Sequence, residues 1–358
     1  MAGNSFGEVF RITTFGESHG KGIGAVVDGC PPGISLNDED FEYEMARRRP
    51  GGSAFDTPRR EDDRVEILSG IFDGMTTGTP IALFIKNKDA RSKSYDHIKD
   101  LFRPGHGDFT YHKKYGHYDY RGAGRYSARE TAARVAAGVI AGKILSKAGI
   151  KILAFTIELG GIRVEKTDIS LAGSNPLCCP DMEKYEEMAK ALSEAKEAGD
   201  SLGGIVEVRV EGCPPGLGEP VFDKLSADLA RAVMSVGAVK GFEIGAGFEA
   251  ARLKGSGNND PITRNGFASN NAGGILAGIS NGDDIVMRAA IKPIPSIGIE
   301  QRTIDKNGNN TSIRTSGRFD VTAIPRVIPV LEAMVKIVLA DHYLRNIALS
   351  MFREIPGD

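Results

Sequence analysis

Apolar and polar positions along the chain fall into strand-like and helix-like stretches that recur in the same order. Residues 24–36 read GAVVDGCPPGISL, and residues 204–217 read GIVEVRVEGCPPGL. Each alternates with the two-residue period of a half-buried strand, stops at Gly-Cys-Pro-Pro-Gly and gives way to a helical pattern. Proline has no amide donor and fixes φ, so Pro-Pro-Gly ends the strand and sets the direction of exit. Residues 67–86 (ILSGIFDGMTTGTPIALFIK) and 275–292 (ILAGISNGDDIVMRAAIK) each show two β-like runs joined by a glycine-containing turn. Gly124-Arg125-Tyr126-Ser127 precedes a helix around Arg134, and Gly317-Arg318-Phe319-Asp320 precedes a helix around Arg326. Three matched pieces in one order predict an internally duplicated chain, its repeats spanning roughly residues 20–150 and 200–345.

The pattern predicts an α+β fold. Two similar halves are related by a pseudo-two-fold axis, and antiparallel β-sheets are sandwiched with helices outside them. The 358 residues form one unit, residues 1–358. A proline-bounded charged stretch, EKYEEMAKALSEAKEAG, makes residues of about 176–200 a helical surface insert. No G-x-G-x-x-G follows an expected strand and no G-x-x-x-x-G-K-[ST] occurs, so Rossmann and P-loop nucleotide sites lack their fingerprints.

Composition narrows the function classes. Hydrophobic residues make up 41% and charged residues 26%, values of a folded protein. The net charge of −2 argues against a nucleic-acid binder held by general electrostatics. Cys30, Cys178, Cys179 and Cys213 show no C-x-x-C spacing, so no metal site is expected and the thiols read as reduced. No apolar run reaches the length of about eighteen residues that a membrane span needs, and the amino terminus lacks a secretory pattern. A cytoplasmic location is the expectation. The 45 glycines are in excess and predict tight turns and close backbone approach to a ligand.

Three tracts hold candidate chemistry. Gly16-Glu17-Ser18-His19-Gly20 matches the G-x-S-x-G nucleophile elbow, which would make Ser18 a hydrolase nucleophile. That elbow needs a strand, a turn and a helix, whereas a glycine-rich strand follows here; the other reading is a small turn presenting Ser18 and His19 to a ligand. Arg47-Arg48-Arg49-Pro50-Gly51-Gly52, with Arg59-Arg60 behind it, is either a solvated helix end or a loop that holds an anion by bidentate arginine contacts. The richest tract spans residues 103–134. It contains Arg103, His106, Asp108, Lys113, Lys114, Asp119, Arg121, Arg125 and Arg129 among glycines, and it runs into a buried helix whose N-terminus, capped near Ser127, suits an anion.

His106 between glycines fits a general acid delivering a proton to a departing anionic oxygen. Nearby cations disfavour its protonation, and a bound dianion reverses that. Asp108 either orients the ring or caps a turn. The second half offers less polar counterparts: Asn270 to Gly274 by position, then Lys292-Pro293-Ile294-Pro295-Ser296, then Arg318-Phe319-Asp320. Together these residues point to an enzyme acting on a small phosphorylated, carboxylated substrate.

The chain resembles the chorismate synthase family over essentially its whole length. The resemblance rests on TFGESHG (14–20), MARRRPG (45–51), RPGHGD (103–108) and KYG…DYRGAGRYSARET (114–131). GLGEPVFDKL (216–225), AVKGFEIG (238–245), SNNAGGIL (269–276) and GRFD (317–320) continue it. It implies a lyase of aromatic amino acid biosynthesis that converts 5-enolpyruvylshikimate 3-phosphate to chorismate by 1,4-elimination of phosphate and a C6 proton. Reduced FMN is required and not consumed, and NADPH is a possible source of its electrons. By the same resemblance His106 protonates the leaving phosphate, His19 is the acid beside the flavin, and Asp320 assists proton removal through flavin N5. Arg48, Arg49, Arg103 and Arg129 bind substrate. Arg125, Tyr126, Ser127, Gly237, Ala238, Ala277, Lys292, Pro293, Ile294, Pro295, Ser296 and Arg318 contact FMN. A homotetramer is implied.

Several positions depart from that family pattern: Ala54 stands where arginine is usual, Ala123 and Ala277 where glycine, Tyr126 where serine, Gly237 where asparagine. Asn271 and Phe319 replace histidines, and Ile294-Pro295 replaces Thr-Ser. The alternatives left open are a serine hydrolase using Ser18 and a non-catalytic homologue that binds anions or flavin.

Overall fold

Two five-stranded antiparallel sheets flank a pair of long helices in the computed structural model of the protein, which describes residues 3–51, 61–88, 98–315 and 319–353. The first part of the chain supplies β1 (Ser5–Phe6), β2 (Arg11–Gly16), β3 (Gly22–Asp28), α1 (Glu42–Arg48) and β4 (Val65–Ile67). The hairpin β5 and β6 (Ile71–Phe72, Met75–Thr76), β7 (Ile81–Lys86), α2 (Asp108–Tyr115) and α3 (Thr131–Lys147) follow. Next come β8 (Lys151–Leu159), β9 (Ile162–Arg163), α4 (Met182–Glu197), β10 (Gly204–Glu211), α5 (Leu225–Met234), β11 (Val239–Ile244) and the short α6 (Gly255–Asn258). The rest comprises the hairpins β12–β13 (Ile262–Thr263, Gly266–Phe267) and β14–β15 (Ile275–Leu276, Ile279–Ser280), β16 (Ile285–Ile291), β17–β18 (Gln301–Ile304, Asn310–Ile313) and α7 (Ile324–Arg353).

One sheet has the order β1-β2-β3-β7-β4 and the other β9-β8-β10-β16-β11. In each, the strand that ends at Gly-Cys-Pro-Pro-Gly is central, and it pairs antiparallel with the strand that follows a glycine hairpin: β3 with β7, β10 with β16. The alternation sets which face is buried. Ile23, Ala25 and Val27 of β3 and Ile81, Leu83 and Ile85 of β7 are fully buried, and Val206, Val208 and Val210 of β10 do the same in the second sheet.

The α+β class holds, but the layers lie in a different order from that expected: the helices are inside. α3 packs on β3 and β7, α7 packs on β8 and β10, and the two helices make the largest contact between any pair of elements. α3 buries residues on every side, from Ala132 and Val135 to Ile140 and Leu145. A helix that is apolar all round needs protein on all sides, which an outer position cannot give. Small residues let the axes approach: a Cβ at Gly138 would fall 2.5 Å from that of Ala333. Larger side chains there would force the helices apart, at a cost of about 1–3 kcal/mol.

This stacking brings the N-terminal ends of α3 and α7, the C-terminal end of α5 and the segments between β7 and α3 to one place.

Candidate active site

A cavity of about 1050 Å³ opens there. Of the residues singled out by sequence, His19, His106 and Asp320 line it, with Arg48, Arg103 and Arg129 and with Arg125, Tyr126 and Ser127. The second half contributes Gly237, Ala238, Lys292, Ile294, Pro295 and Ser296. Arg49, Ala277 and Pro293 are not part of its wall. Arg49 is exposed just past α1, Ala277 is exposed in the turn between β14 and β15, and Pro293 packs beside Gly203. Arg318 lies outside the described residues, as do Ala54, Arg59 and Arg60.

The arginines of this wall are held by buried carboxylates. Asp63, 2% exposed, accepts from Arg48 Nη1 at 2.9 Å and also from Arg129 Nη1. Arg48 Nη2 donates to the Ala128 carbonyl at 2.7 Å, and Arg129 Nε donates to Asn87 at 2.9 Å. Burial alone would raise the Asp63 carboxyl, yet the two guanidinium groups hold it below the usual carboxylate range. Burial pulls Arg48 down to about 10, with Arg326 and Arg129 adding repulsion against the pull of Asp63. It remains a cation at neutral pH.

Arg103 forms a bidentate pair with Asp108, Nε at 2.7 Å and Nη2 at 2.8 Å, and the backbone amide of Arg103 donates to the same carboxylate at 3.1 Å. The Tyr126 hydroxyl also donates to Asp108. Asp108 therefore makes its hydrogen bonds to Arg103 and Tyr126 rather than to the His106 ring. The His106 ring instead has Nδ1 3.3 Å from the Pro104 carbonyl and Nε2 3.0 Å from the Ser296 hydroxyl. Burial, then the Arg103 charge, push its pKa down to about 4. Lys292 donates to the Gly105 carbonyl at 2.7 Å and so ties the loop that carries the ring to the second half of the chain.

His19 lies against the backbone of Gly122, where a Cβ would come within 2.4 Å of the imidazole, so that position has to be glycine at its φ of +57°. Ser18 beside it is buried, does not line the cavity, and its hydroxyl has no hydrogen-bond partner among the described residues. A nucleophile needs a base within hydrogen-bond reach and access to substrate. The hydrolase elbow has neither here. Asp320 accepts from Arg326 Nη1 at 2.7 Å, and Arg326 Nε donates to the Arg48 carbonyl at 3.2 Å.

Sequence reasoning gave no role to Asp63, Glu130, Arg134 or Arg326. Asp63 ends the run Glu61-Asp62-Asp63, which reads as solvated charge, and nothing local marks it as buried. Glu130 and Arg134 are four apart at the start of an apolar helix, and Arg326 opens another. Charges in otherwise apolar helices were the available signal.

A family model described as chorismate synthase matches residues 10–344. The chain belongs to the chorismate synthase family. The chorismate synthase of Desulfatibacillum aliphaticivorans is 60% identical over 346 residues, covering 97% of each chain. That of Syntrophus aciditrophicus is 58% identical over 354 residues, covering 98% of this chain and all of the relative. That of Methanosarcina barkeri is 56% identical over 355 residues, covering 97% of each. A crystal structure of a chorismate synthase matches with a TM-score of 0.75 at 36% identity, covering 95% of this chain and 93% of the other.

Some positions expected to depart from the family pattern have distinctive surroundings. Ala123 and Ala277 both have the left-handed φ that favours glycine, +70° and +51°. A Cβ at Gly237 would meet nothing within 4 Å, so the position faces open space in the cavity wall. Tyr126 fills its site with a ring 4.3 Å from that of Tyr111, centroid to centroid.

Proposed function

We propose that this cavity converts 5-enolpyruvylshikimate 3-phosphate to chorismate and phosphate, as a carbon–oxygen lyase of the shikimate pathway, with reduced FMN bound beside the substrate. The observation that carries the reading is the convergence of Arg48, Arg103, Arg129 and His106 on one cavity. A substrate with two carboxylates and a phosphate needs such a set of cations, held rigid before it arrives. Arg48, Arg103 and Arg129 are the cavity's cations for the anionic groups, and Arg49 belongs to the same substrate set by family resemblance.

In the elimination the bond from C3 to the phosphate oxygen breaks and a proton leaves C6. His106 protonates the departing phosphate from Nε2, once the dianion has displaced Ser296 and raised the ring's proton affinity. His19 serves as the acid on the flavin side. Asp320, fixed by Arg326, supplies the carboxylate that assists proton removal.

The residues fit FMN. Arg125 lines the cavity as a cation whose Nη1 is ion-paired with Glu130 Oε1 at 3.6 Å, outside hydrogen-bond distance, and a guanidinium so placed suits an anionic or electronegative flavin atom. Tyr126, Ser127, Gly237, Ala238, Lys292, Ile294, Pro295 and Ser296 complete that wall, and Pro293, Ala277 and Arg318 belong to the same flavin set by family resemblance. When bound, the reduced flavin supplies electron density to the breaking bond and is not consumed. NADPH is a candidate source of its electrons.

The chain is read as one unit, residues 1–358, duplicated over roughly 20–150 and 200–345, with the insert at 176–200; the shared strand order of the two sheets supports this. Exposed Phe222, Phe248 and Ile262, at 92%, 71% and 76%, are side chains that further copies in a homotetramer would cover. No described helix is long and apolar enough to cross a membrane; action in the cytoplasm is part of the same proposal.

The test is phosphate release from the enolpyruvyl substrate under anaerobic conditions, with chemically reduced FMN compared against NADPH plus oxidised FMN. Release in the first case establishes the lyase. No release, with FMN and substrate both bound, identifies a non-catalytic homologue. Ser18→Ala should keep activity and His106→Ala should lose it; the reverse would restore the hydrolase.

A further inference from the structure

The buried carboxylate of Glu130 sits where four elements meet. Its Oε1 accepts from the Thr14 hydroxyl on β2 at 2.8 Å and lies 3.6 Å from Arg125 Nη1. Its Oε2 accepts from Arg134 Nε at 2.8 Å. Arg125 is itself tied to Thr14, through the carbonyl at 2.9 Å and the hydroxyl. Arg134 extends the chain of contacts across the cavity: its Nη1 donates to the Ser235 hydroxyl at 2.7 Å and to the Ser235 carbonyl at 3.3 Å. Ser235 is the C-cap of α5, and the cavity wall at Gly237 and Ala238 follows it directly.

The two walls assigned to the flavin, Arg125 to Tyr126 on one side and Gly237 to Ala238 on the other, come from opposite halves of the chain. The Arg134 side chain ties one to the other through Ser235. The C-terminal turn of α5 offers carbonyls without intrahelical partners, and a cation there is favoured by the helix dipole. Arg134 supplies that cation and Glu130 aims it.

We infer that Glu130 is a positioning residue of the flavin pocket, holding Arg125 directly and the Gly237–Ala238 turn through Arg134. The inference rests on the flavin reading of the cavity. Glu130 reaches both walls from the helical segment that leads into α3, a helix buried on every side, so the spacing is set by the core rather than by loops. Removing its charge leaves the Arg125 and Arg134 guanidinium groups without their common anion, and the walls then shift relative to each other.

The experiment is titration of FMN into the full-length protein, followed by flavin absorbance and fluorescence, for wild type, Glu130→Gln, Arg134→Gln and the double variant. Thermal unfolding is recorded for each. Expected are about tenfold weaker FMN binding in each single variant and no further loss in the double, since both break one chain of contacts. Hydrogen exchange of the amides at 235–238 should quicken in both singles. Arg134→Gln, at a partly exposed side chain, keeps the test alive if Glu130→Gln does not fold. Folded variants that bind FMN as wild type does overturn the inference and leave the flavin reading standing. Wild type failing to bind FMN overturns both. Additive losses in the double variant overturn the coupling through Arg134.

Discussion

The Ser296 hydroxyl lies 3.0 Å from Nε2 of His106, while Nδ1 of the same ring faces the Pro104 carbonyl at 3.3 Å. A carbonyl oxygen only accepts, so Nδ1 carries the proton and Nε2 of the neutral ring accepts from Ser296. The nitrogen that delivers the proton in the proposed elimination therefore starts as an acceptor. It becomes an acid only when a bound anion charges the ring, which couples proton delivery to occupancy of the phosphate site.

That coupling has a pH signature. Burial first, and Arg103 second, lower His106 from 6.5 to about 4. A folded-state value below the unfolded one means the neutral ring's contribution to stability is complete above about pH 6.5 and is lost as pH falls toward about 4. The His106 ring signals in NMR should titrate near pH 4 in ligand-free protein, and inorganic phosphate should move that midpoint upward. His106→Gln should slow phosphate release by about 10²–10⁴-fold. It should also lose less stability than wild type between pH 7 and pH 5 in denaturant titrations. A ligand-free midpoint near 6.5 would sink this account.

Asp63 gives a second prediction. It is the shared anion of Arg48 and Arg129, so Asp63→Asn removes it from two buried guanidinium groups at once, leaving Arg129 only the Glu61 carboxylate at 3.8 Å. Breaking a buried pair from one side costs about 3–5 kcal/mol, and the urea midpoint should fall accordingly, with substrate affinity falling alongside. Because the guanidinium groups hold the carboxyl below its ordinary 3.8, its contribution is present above that pH and lost as pH drops below it. The gap between wild type and variant should stay constant from pH 8 to pH 5 and close only in stronger acid. A gap that closes near pH 6 would assign the stabilisation to another group.

The strands were legible because alternation and the Pro-Pro-Gly stops are local. β3 and β10 appear where their patterns place them, each central in its sheet. The burial of α3 is legible from its composition, and its place between the sheets follows from that: a helix apolar on all sides has no outer face to offer. Of the site, the glycine-punctuated tract at 103–134 announced itself through residue types that have no reason to cluster otherwise. Its anionic partners did not. Asp63 is forty residues from the nearest arginine of that tract in sequence and reaches it only through the pairing of β4 with β7, a long-range relation that no local pattern encodes. Asp108 was visible with two readings open, orienting the His106 ring or capping a turn; that it accepts from Arg103 and Tyr126 takes geometry.

A third prediction concerns the backbone. Ala123 sits at φ +70°, ψ +9°, between two glycines that also have positive φ. A Cβ in the left-handed region crowds the following carbonyl, at about 1–2 kcal/mol, part of which is recovered because alanine restricts the unfolded chain. Ala123→Gly should therefore raise stability by about 0.5–1 kcal/mol without altering FMN binding. Gly122→Ala one residue earlier should do the opposite and abolish activity, since its Cβ would collide with the His19 ring. Equal thermal midpoints for the two variants would show that the loop relaxes and that the φ values do not constrain it.

The last prediction is drawn from Tyr126, where the family resemblance implies serine. Burial, then its bond to Asp108, raise its pKa, so the hydroxyl stays protonated and donates throughout the working pH range. Its ring packs on Tyr111 at 4.3 Å and lies so close to Gly107 that a Cβ there would sit 3.1 Å away. Tyr126→Phe keeps the packing and removes one donor from a carboxylate that still has the Arg103 fork; a loss of about 1–2 kcal/mol is expected, with activity within a few-fold of wild type. Tyr126→Ser, although it matches the family pattern, removes the ring as well and should cost about 3–5 kcal/mol. It also releases the 103–107 loop, so the rate should fall with stability. If Tyr126→Ser proved as stable and as active as wild type, the tyrosine would be filling space that the loop can close by itself, and the Arg103–Asp108 pair alone would suffice to hold the substrate arginine in place.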